Sequence, residues 1–428
     1  MKNINIGFIG LGKLGLPCAS AMSVLSGKTI SGYDVNKNVK SYIDSCSVPY
    51  VENKIEEYLS KASIDFKDSI ESVIMSSDIV FIAVQTPHDP MFEGSTPLPE
   101  ERKDFDYSYL ISVIEEINSI LLLNKNKNLD ISIISTVLPG TIKEKIRPLL
   151  TSKRQGVNLL YNPYFIAMGT TIDDFINPEF VLIGGKHEES SQLSDFYRSI
   201  LNVPVLRVRT ASAEIVKVSY NTFIGIKIVF ANTIAEIIEK QELGCSEEVF
   251  SVLAMANNRI ISRKYMSPGM GDGGGCHPRD QIAMSYLAKK LDLSVDLFEF
   301  LADARDRQTK YHAEIINRYQ KVLTNDCDVV ILGQSYKKNI GLELGSPSKL
   351  LQHYLDELGV RYEVIDPYFN NDPISFDSPK IFYVATPHDS FKNLSMPVNS
   401  LVLDPWGNSV TKQYNVPIIS IGRWKEDN

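Results

Sequence analysis

Cysteine is scarce in this 428-residue chain. The five that occur, Cys18, Cys46, Cys245, Cys276 and Cys327, are odd in number, widely scattered and include no C-x-x-C pair. That pattern speaks against a disulfide framework or a zinc knuckle and fits a reducing cytoplasm. Basic charge is not in excess either. Lys and Arg total 44 against 52 Asp and Glu, a net charge of -8, which argues against a nucleic-acid surface but leaves room for local phosphate pockets. A long uninterrupted apolar run is also missing. The nearest stretch, 223–238, carries Lys227, Asn232 and Glu236 and reads as too short and too polar to span a bilayer. The opening MKNINIGFIG has a strand pattern, without signal-peptide anatomy. With 22% charged and 43% hydrophobic residues the composition is globular, and the length calls for two or three domains.

What is present begins with INIGFIGLGKLGLPCASAMSVLSG: a buried strand, a turn holding Gly10, Gly12 and Gly15, then a helix. The next strand, KTISGYD, ends at Asp34, nineteen residues after Gly15. This is the dinucleotide-binding fingerprint in its proper setting. Gly10 makes the tight turn, Gly12 lets the backbone reach a pyrophosphate, Gly15 permits close helix–strand packing, and the helix N-terminus faces the negative charge. Leu11, Lys13 and Leu14 share that turn. Asp34 is placed for both ribose hydroxyls and would repel a 2′-phosphate, which favours NAD over NADP, with Lys37 nearby as a reservation.

Further αβ alternation follows. DIVFIAVQTP (78–87) and DISIISTVLPGT (130–141) read as buried strands running into polar turns. Ligands sit off the carboxyl ends of strands in open parallel sheets, so Val84, Thr86, Pro87, Ser135 and Thr136 are candidates to touch cofactor or substrate. A long polar loop, 88–106, lies between them. NLLYNP, EFVLIGG and VPVLRV are further strands. From about Ala211 the pattern becomes one helix of roughly 30 residues, apolar nearly all round in its second half. Glu214, Lys217, Asn221 and Asn232 share a stripe on it by helical spacing. Lys217 reads either as a functional cation or as the partner of Glu214 in a structural ion pair.

Residues 268–280 read PGMGDGGGCHPRD. Five glycines in seven residues, Gly269, Gly273 and Gly274 among them, allow close backbone approach, and a thiol follows at once. Cationic neighbours lower a thiol pKa, so Cys276 is a candidate nucleophile, with Arg279 and Asp280 beside it if a helix starts here. Metal ligation by Cys276, His277 and Asp280 lacks a second ligand cluster. The last hundred residues return to αβ, with strands in 327–337, 361–368, 380–391, 400–405 and 416–422, and Ser346-Pro347 as a helix N-cap and first residue. FYVATPHD (382–389) echoes FIAVQTPHD (81–89), without the glycine fingerprint.

Taken in order, GFIGLGKLGLP, YDVN, VQTP, STVLPGT, AEIVKVSYN, KIVFAN, NNRI, GDGGGCHPRD and GQSYK resemble the UDP-glucose/GDP-mannose dehydrogenase family along essentially the whole chain. The resemblance implies an α/β protein: a Rossmann-type NAD domain (1–209), a central helical dimerisation region with one long helix (210–310), and a smaller Rossmann-like nucleotide-sugar domain (311–428). It implies oxidation of the 6-hydroxyl of a nucleoside-diphosphate hexose to a carboxylate with two NAD in succession, in a cytoplasmic homodimer serving polysaccharide synthesis. Cys276 would form a thiohemiacetal and then a thioester. Lys217 and Asn221 would stabilise oxyanions, and Asp280, alone or through water with Thr136, would be the base. Phe165, Gly269, Gly273 and Gly274 would line the sugar site. Arg259 would reach the neighbouring subunit's site, Lys337 would meet the diphosphate, and Arg279 would contact cofactor.

Tyr164 and Met168 stand where the family carries glutamates, Leu344 replaces a basic residue, and Arg279 replaces a lysine. The lost acids put the final hydrolysis in question. Two other readings therefore stay open: a single-step NAD-linked alcohol or hydroxyacid dehydrogenase, and a nucleotide-sugar-binding protein that has lost turnover.

Overall fold

The computed structural model describes residues 4–87, 103–151, 156–241, 244–262, 269–274, 277–323, 328–369, 376–407 and 414–421. The chain divides into two compact units, Met1–Gly225 and Ile226–Asn428. The polar loop expected over 88–106 lies largely outside the described residues.

The first unit is built on eight strands: β1 (Ile6–Ile9), β2 (Thr29–Tyr33), β3 (Ser63–Phe66), β4 (Ile79–Ile82), β5 (Leu129–Ile133), β6 (Val157–Tyr161), β7 (Val181–Gly184) and β8 (Val205–Val208). They lie in the order β3-β2-β1-β4-β5-β6-β7-β8. Every neighbouring pair is parallel except β6 with β7. Strands β1, β4 and β5 are buried at every position, as parallel strands covered on both faces must be; β1 and β4 therefore read as apolar runs, while β5 buries Asp130 and Ser132 as well. The edge strand β3 was not legible: SIDF has two apolar residues and is half exposed. Chain order reverses between β1 and β4. The crevice beyond the ends of those two strands is the topological switch point, where ligands bind in such sheets.

The long helix runs Thr210–Gln241, close to the expected 30 residues. By length and composition, Thr210–Ile238 is apolar enough to cross a membrane, contrary to the reading of its second half as too short and polar. Its first half, however, lodges two titratable side chains in the sheet unit: Glu214 is 1% exposed and Lys217 7%.

In the second unit, helices Ser246–Ala254, His277–Lys290 and Leu297–Leu323 precede a five-stranded parallel sheet. Its strands are β9 (Val329–Leu332), β10 (Tyr362–Ile365), β11 (Ile381–Val384), β12 (Leu401–Asp404) and β13 (Ile418–Ser420), ordered β10-β9-β11-β12-β13. All five fall where the sequence predicts strands. The helix Pro347–Glu357 starts as expected, with Ser346 Oγ accepting the Ser348 N–H at 3.1 Å and proline in the first turn.

Candidate active site

The fingerprint turn has the geometry its glycines imply. Gly10 sits at φ +91°, and a Cβ there would come 2.8 Å from the Ala83 carbonyl oxygen after β4. A Cβ on Gly15 would lie 1.9 Å from the Gly10 carbonyl, so only glycine lets the helix Gly15–Ser26 close onto the turn. Nothing lies within 4 Å of the Cβ direction of Gly12, which lines an open cleft. The helix carries no side-chain cap; in its first turn Leu16 and Cys18 donate their N–H groups to the Gly12 and Leu14 carbonyls at 3.0 and 3.2 Å, and Pro17 has none to give, so an anion here would meet the positive end of the helix dipole. Asp34 closes the far side of the turn, its Oδ2 accepting the Leu11 N–H at 2.7 Å and its Oδ1 the Asn36 N–H at 2.8 Å. The Leu11 side chain is buried and packs on Gly32, while Lys13 and Leu14 face the cleft. Lys37 stands over the rings of Tyr33 and Phe66, at 4.7 and 5.8 Å, and donates to the Asp68 carbonyl at 3.4 Å.

The loops after β4 and β5 form the opposite wall. Thr86 Oγ1 donates to the Thr136 carbonyl at 2.8 Å and Ser135 Oγ donates to the Val84 carbonyl, tying the two together. The cleft measures about 820 Å³, within the usual range for ligand sites, and reaches from Gly12 and Asp34 past Thr86, Ser135 and Thr136 to Lys217. Pro87, expected at the cofactor, is not among the residues lining this cleft; its carbonyl accepts the Asp106 N–H at 2.8 Å. The open glycine turn, bare helix terminus and cleft-facing acid fit NAD. Gly10, Gly12, Lys13 and the helix N-terminus would hold its pyrophosphate, and Asp34 a ribose.

Lys217 is not the partner of Glu214. The Glu214 carboxylate accepts the N–H groups of Gly140 and Ile142, both at 2.8 Å. Burial raises its pKa even so, with those two bonds opposing. Lys217 Nζ donates to the Tyr164 carbonyl at 2.7 Å and lies 5.2 Å from the centre of the Phe165 ring. Among the described residues no carboxylate is within ion-pair range of it, and burial lowers its pKa. Phe165 is fixed edge-on by Phe180 and by Tyr220, one turn beyond Lys217. Asn221 follows on the same helix and is exposed.

Where the resemblance would place a glutamate, the Tyr164 side chain points into the core. Its hydroxyl shares a 2.8 Å hydrogen bond with Tyr197, whose own hydroxyl donates to Asn162 Oδ1 at 2.6 Å, and its ring meets Phe175. Burial pushes the Tyr164 phenol well above its ordinary pKa, with Tyr197 adding to the effect. Met168 is 65% exposed at the cleft. Three acids follow in the sequence that could replace the lost glutamates: Asp173 pairs with Lys54, Asp174 accepts from Ala167 N–H and Thr170 Oγ1, and Glu179 is exposed and adds to burial in raising the pKa of the Tyr220 phenol.

In the second unit the glycine stretch lies on the loops at the carboxyl ends of the sheet. A Cβ on Gly274 would be 2.9 Å from the Tyr336 ring, one on Gly273 2.5 Å from Pro347, and one on Gly269 2.3 Å from Trp406. Gly274 N–H also donates to the Gly345 carbonyl at 3.0 Å. The stretch is glycine-rich because it passes across this surface. Arg305, which the sequence did not single out, holds it in place by donating to the Asp272 carbonyl at 2.9 Å and to that of Gly345 at 3.4 Å. A helix begins at His277, the condition for Arg279 and Asp280 to stand beside Cys276, but Cys276 and the side chains of Arg279 and Asp280 lie outside the described residues. Lys337 and Arg259 are exposed.

Comparison with known proteins agrees with this architecture. Residues 4–201 match the NAD binding domain of the UDP-glucose/GDP-mannose dehydrogenase family, and residues 211–306 match its central domain. Among relatives, a GDP-mannose 6-dehydrogenase of Pseudomonas syringae pv. tomato is 29% identical over 348 residues, 78% of this chain and 74% of that protein. A UDP-glucose 6-dehydrogenase of Rickettsia typhi is 26% identical over 419 residues, 92% and 91% of the two chains. In fold, the chain resembles the ternary complex of GDP-mannose dehydrogenase from Pseudomonas aeruginosa, with a TM-score of 0.83 and 24% identity over 96% of this chain and 99% of that one. The chain belongs to the UDP-glucose/GDP-mannose dehydrogenase family, as a divergent member, and is an NAD-dependent nucleotide-sugar dehydrogenase.

Proposed function

We propose that the chain oxidises the primary 6-hydroxyl of a nucleoside-diphosphate hexose to a carboxylate in two steps, through a covalent intermediate on Cys276. The observation that carries this is Lys217, a buried ammonium with no carboxylate beside it among the described residues, lining the same cleft as the glycine turn. A buried cation without a counter-charge costs stability. It is accounted for if an alkoxide or tetrahedral oxyanion forms within its reach.

NAD bound in the cleft supplies the hydride acceptor. Lys217, aided by Asn221, stabilises the alkoxide as the hydroxyl proton leaves to Asp280, directly or through a water held with Thr136. The aldehyde then takes the Cys276 thiolate at its carbonyl carbon, giving a thiohemiacetal that still bears one hydride. Its loss to a second NAD leaves a thioester, and water cleaves the C–S bond to release carboxylate and thiol. The nucleotide occupies the loops of the second sheet, with Lys337 at the diphosphate and Gly269, Gly273 and Gly274 against the sugar.

The long helix exposes Phe223, Ile224, Ile226, Val229 and Phe230. Such a continuous apolar surface fits burial against a second copy of the chain, with Arg259 reaching the partner's site. A cytoplasmic location accords with the free thiols of Cys18 and Cys46.

The test is stoichiometry. With UDP- and GDP-hexoses, two NADH should form per sugar consumed, and Cys276→Ser should form one or none. One NADH per sugar with free aldehyde released, from wild type and Cys276→Ser alike, would leave the single-step reading standing instead.

A further inference from the structure

The second sheet repeats the construction of the first at its own switch point. Gly333 after β9 has φ +94° and its N–H donates to the Ile365 carbonyl at 2.7 Å, just as Gly10 after β1, at φ +91°, donates to Tyr33 at 2.9 Å. A Cβ on either glycine would strike the backbone following the neighbouring strand, Thr386 in one case and Ala83 in the other. Each turn is also gripped by an aspartate ending the adjacent strand, Asp366 here and Asp34 there.

The two aspartates differ in one respect. Asp34 faces an open cleft, whereas Asp366 is 0% exposed. Its Oδ2 accepts the N–H of Gln334 at 2.7 Å, the N–H and hydroxyl of Ser335 at 2.8 and 2.9 Å, and His388 Nε2 at 3.1 Å. His388 is 0% exposed as well, and its Nδ1 accepts the Asn339 N–H at 2.9 Å. An acceptor at Nδ1 puts the ring proton on Nε2, so the neutral imidazole satisfies both bonds. Loop 333–339 is therefore fastened at its start by Asp366 and at its end by His388, and these two residues are bonded to each other. Tyr336 and Lys337 lie on the span between. Asn339 is held at φ +59°, a conformation few non-glycine residues adopt, and its side chain exchanges hydrogen bonds with Asp389.

We propose that His388 is a positioning residue for the nucleotide end of the substrate: it locks the loop that presents Lys337, and in covering Asp366 it removes the acid that would otherwise bind a ribose there. The proposal rests on the reading of Lys337 as a diphosphate contact. Preorganisation of this kind acts on affinity, because the loop is not ordered anew at each binding event.

Two substitutions separate the two bonds. His388→Gln keeps an amide donor near Asp366 and loses the acceptor for Asn339, while His388→Asn keeps the acceptor and loses the donor. UDP and GDP serve as probes by calorimetry, with KM and kcat measured on the nucleotide sugar. Each variant is expected to bind the nucleotide at least tenfold more weakly and to raise KM for the sugar by a similar factor, with KM for NAD and kcat within twofold of wild type. Hydrogen exchange on the ligand-free protein gives an independent readout: in His388→Gln the Asn339 amide should exchange at least tenfold faster while those of Gln334 and Ser335 stay protected. Unchanged nucleotide affinity and unchanged Asn339 exchange would overturn the positioning role. A parallel fall in NAD binding would overturn it too, by showing general loosening. A wild-type chain that binds neither UDP nor GDP would refute the substrate reading beneath it.

Discussion

Replacing Lys217 by methionine should uncouple stability from activity. Methionine keeps most of the stem volume and removes the charge. The ammonium makes one bond to protein, 2.7 Å to the Tyr164 carbonyl, and a 5.2 Å contact with the Phe165 ring. Losing a charged hydrogen bond costs about 1.5–3 kcal/mol, and an exposed-to-desolvated cation–π contact about 0.5–2 kcal/mol. Against this, the desolvation penalty of a buried ion, relieved by the substitution, is several kcal/mol. The two nearly cancel, so the net change should stay within about 1 kcal/mol, or about 2–4 °C in Tm for a unit of this size. The pH dependence has a definite sign. Burial lowers the folded pKa of Lys217 below its ordinary value, so the unfolded chain binds the extra proton and stability rises with pH between the lowered value and the ordinary one. Lys217→Met should lack that rise. Turnover behaves differently: removing one oxyanion donor costs about 10²–10³ in kcat. Thermal unfolding across pH and steady-state NADH formation read the two effects separately. A variant that loses more than about 10 °C, or one that keeps kcat within tenfold, would refute the assignment.

Other sites give simpler expectations. Gly15→Ala puts a methyl 1.9 Å from the Gly10 carbonyl, backbone against backbone, so about 3 kcal/mol or more of stability should go, and NAD titration should show binding lost with it. Asp130, buried at the start of β5, has its pKa pushed up to about 6 by burial, with the charges of Asp78 and Glu189 adding to it. The folded chain therefore holds the extra proton, and this site loses stability as pH rises from about 4 to about 6, by up to about 3 kcal/mol. Asp130→Asn keeps the oxygen that accepts Asn158 Nδ2 at 2.7 Å, and should raise Tm by several degrees at pH 7.5 while leaving it unchanged at pH 4.

The parts of the fold that sequence made legible are those set by local chemistry. The fingerprint could be read because its three glycines and the acid at Asp34 recur at fixed local spacing, and β1 and β4 because strands buried on both faces are apolar throughout. What escaped depends on partners distant in the chain. Spacing put Glu214 and Lys217 on one helical stripe and suggested that they pair; the amides that claim Glu214 come from Gly140 and Ile142, more than seventy residues earlier. The lost acid at Tyr164 was visible, but the direction of its side chain is decided by Tyr197, thirty-three residues on. TPHD was noticed as an echo, and nothing local distinguished His388, whose role comes from Asp366 and Asn339 on two other loops.

The inward turn of Tyr164 has a kinetic consequence. Thioester cleavage needs a base to activate water, and a positioned carboxylate is worth about 10²–10⁴ in rate. Of the side chains near this loop, Tyr164 is a phenol with a raised pKa bonded to Tyr197, Asp173 is paired with Lys54 and Asp174 is bound to Ala167 and Thr170, which leaves the exposed Glu179 beside Tyr220. The carboxylates lining the cleft, Asp34 and Glu116, belong to the glycine turn and to the helix Ser108–Leu123. On the proposed mechanism, hydrolysis would fall to Asp280, Glu179 or solvent, while the hydride steps would retain Lys217. The thioester on Cys276 should form faster than it breaks. Mixing enzyme with excess NAD and substrate in a stopped-flow cell should give a burst of two NADH per active chain, followed by a slower steady rate, and acid quenching during that phase should trap the sugar on Cys276 as an acyl adduct found by mass spectrometry. A linear onset with no adduct would show that hydrolysis is not limiting, and that a carboxylate other than the two lost from positions 164 and 168 serves the last step.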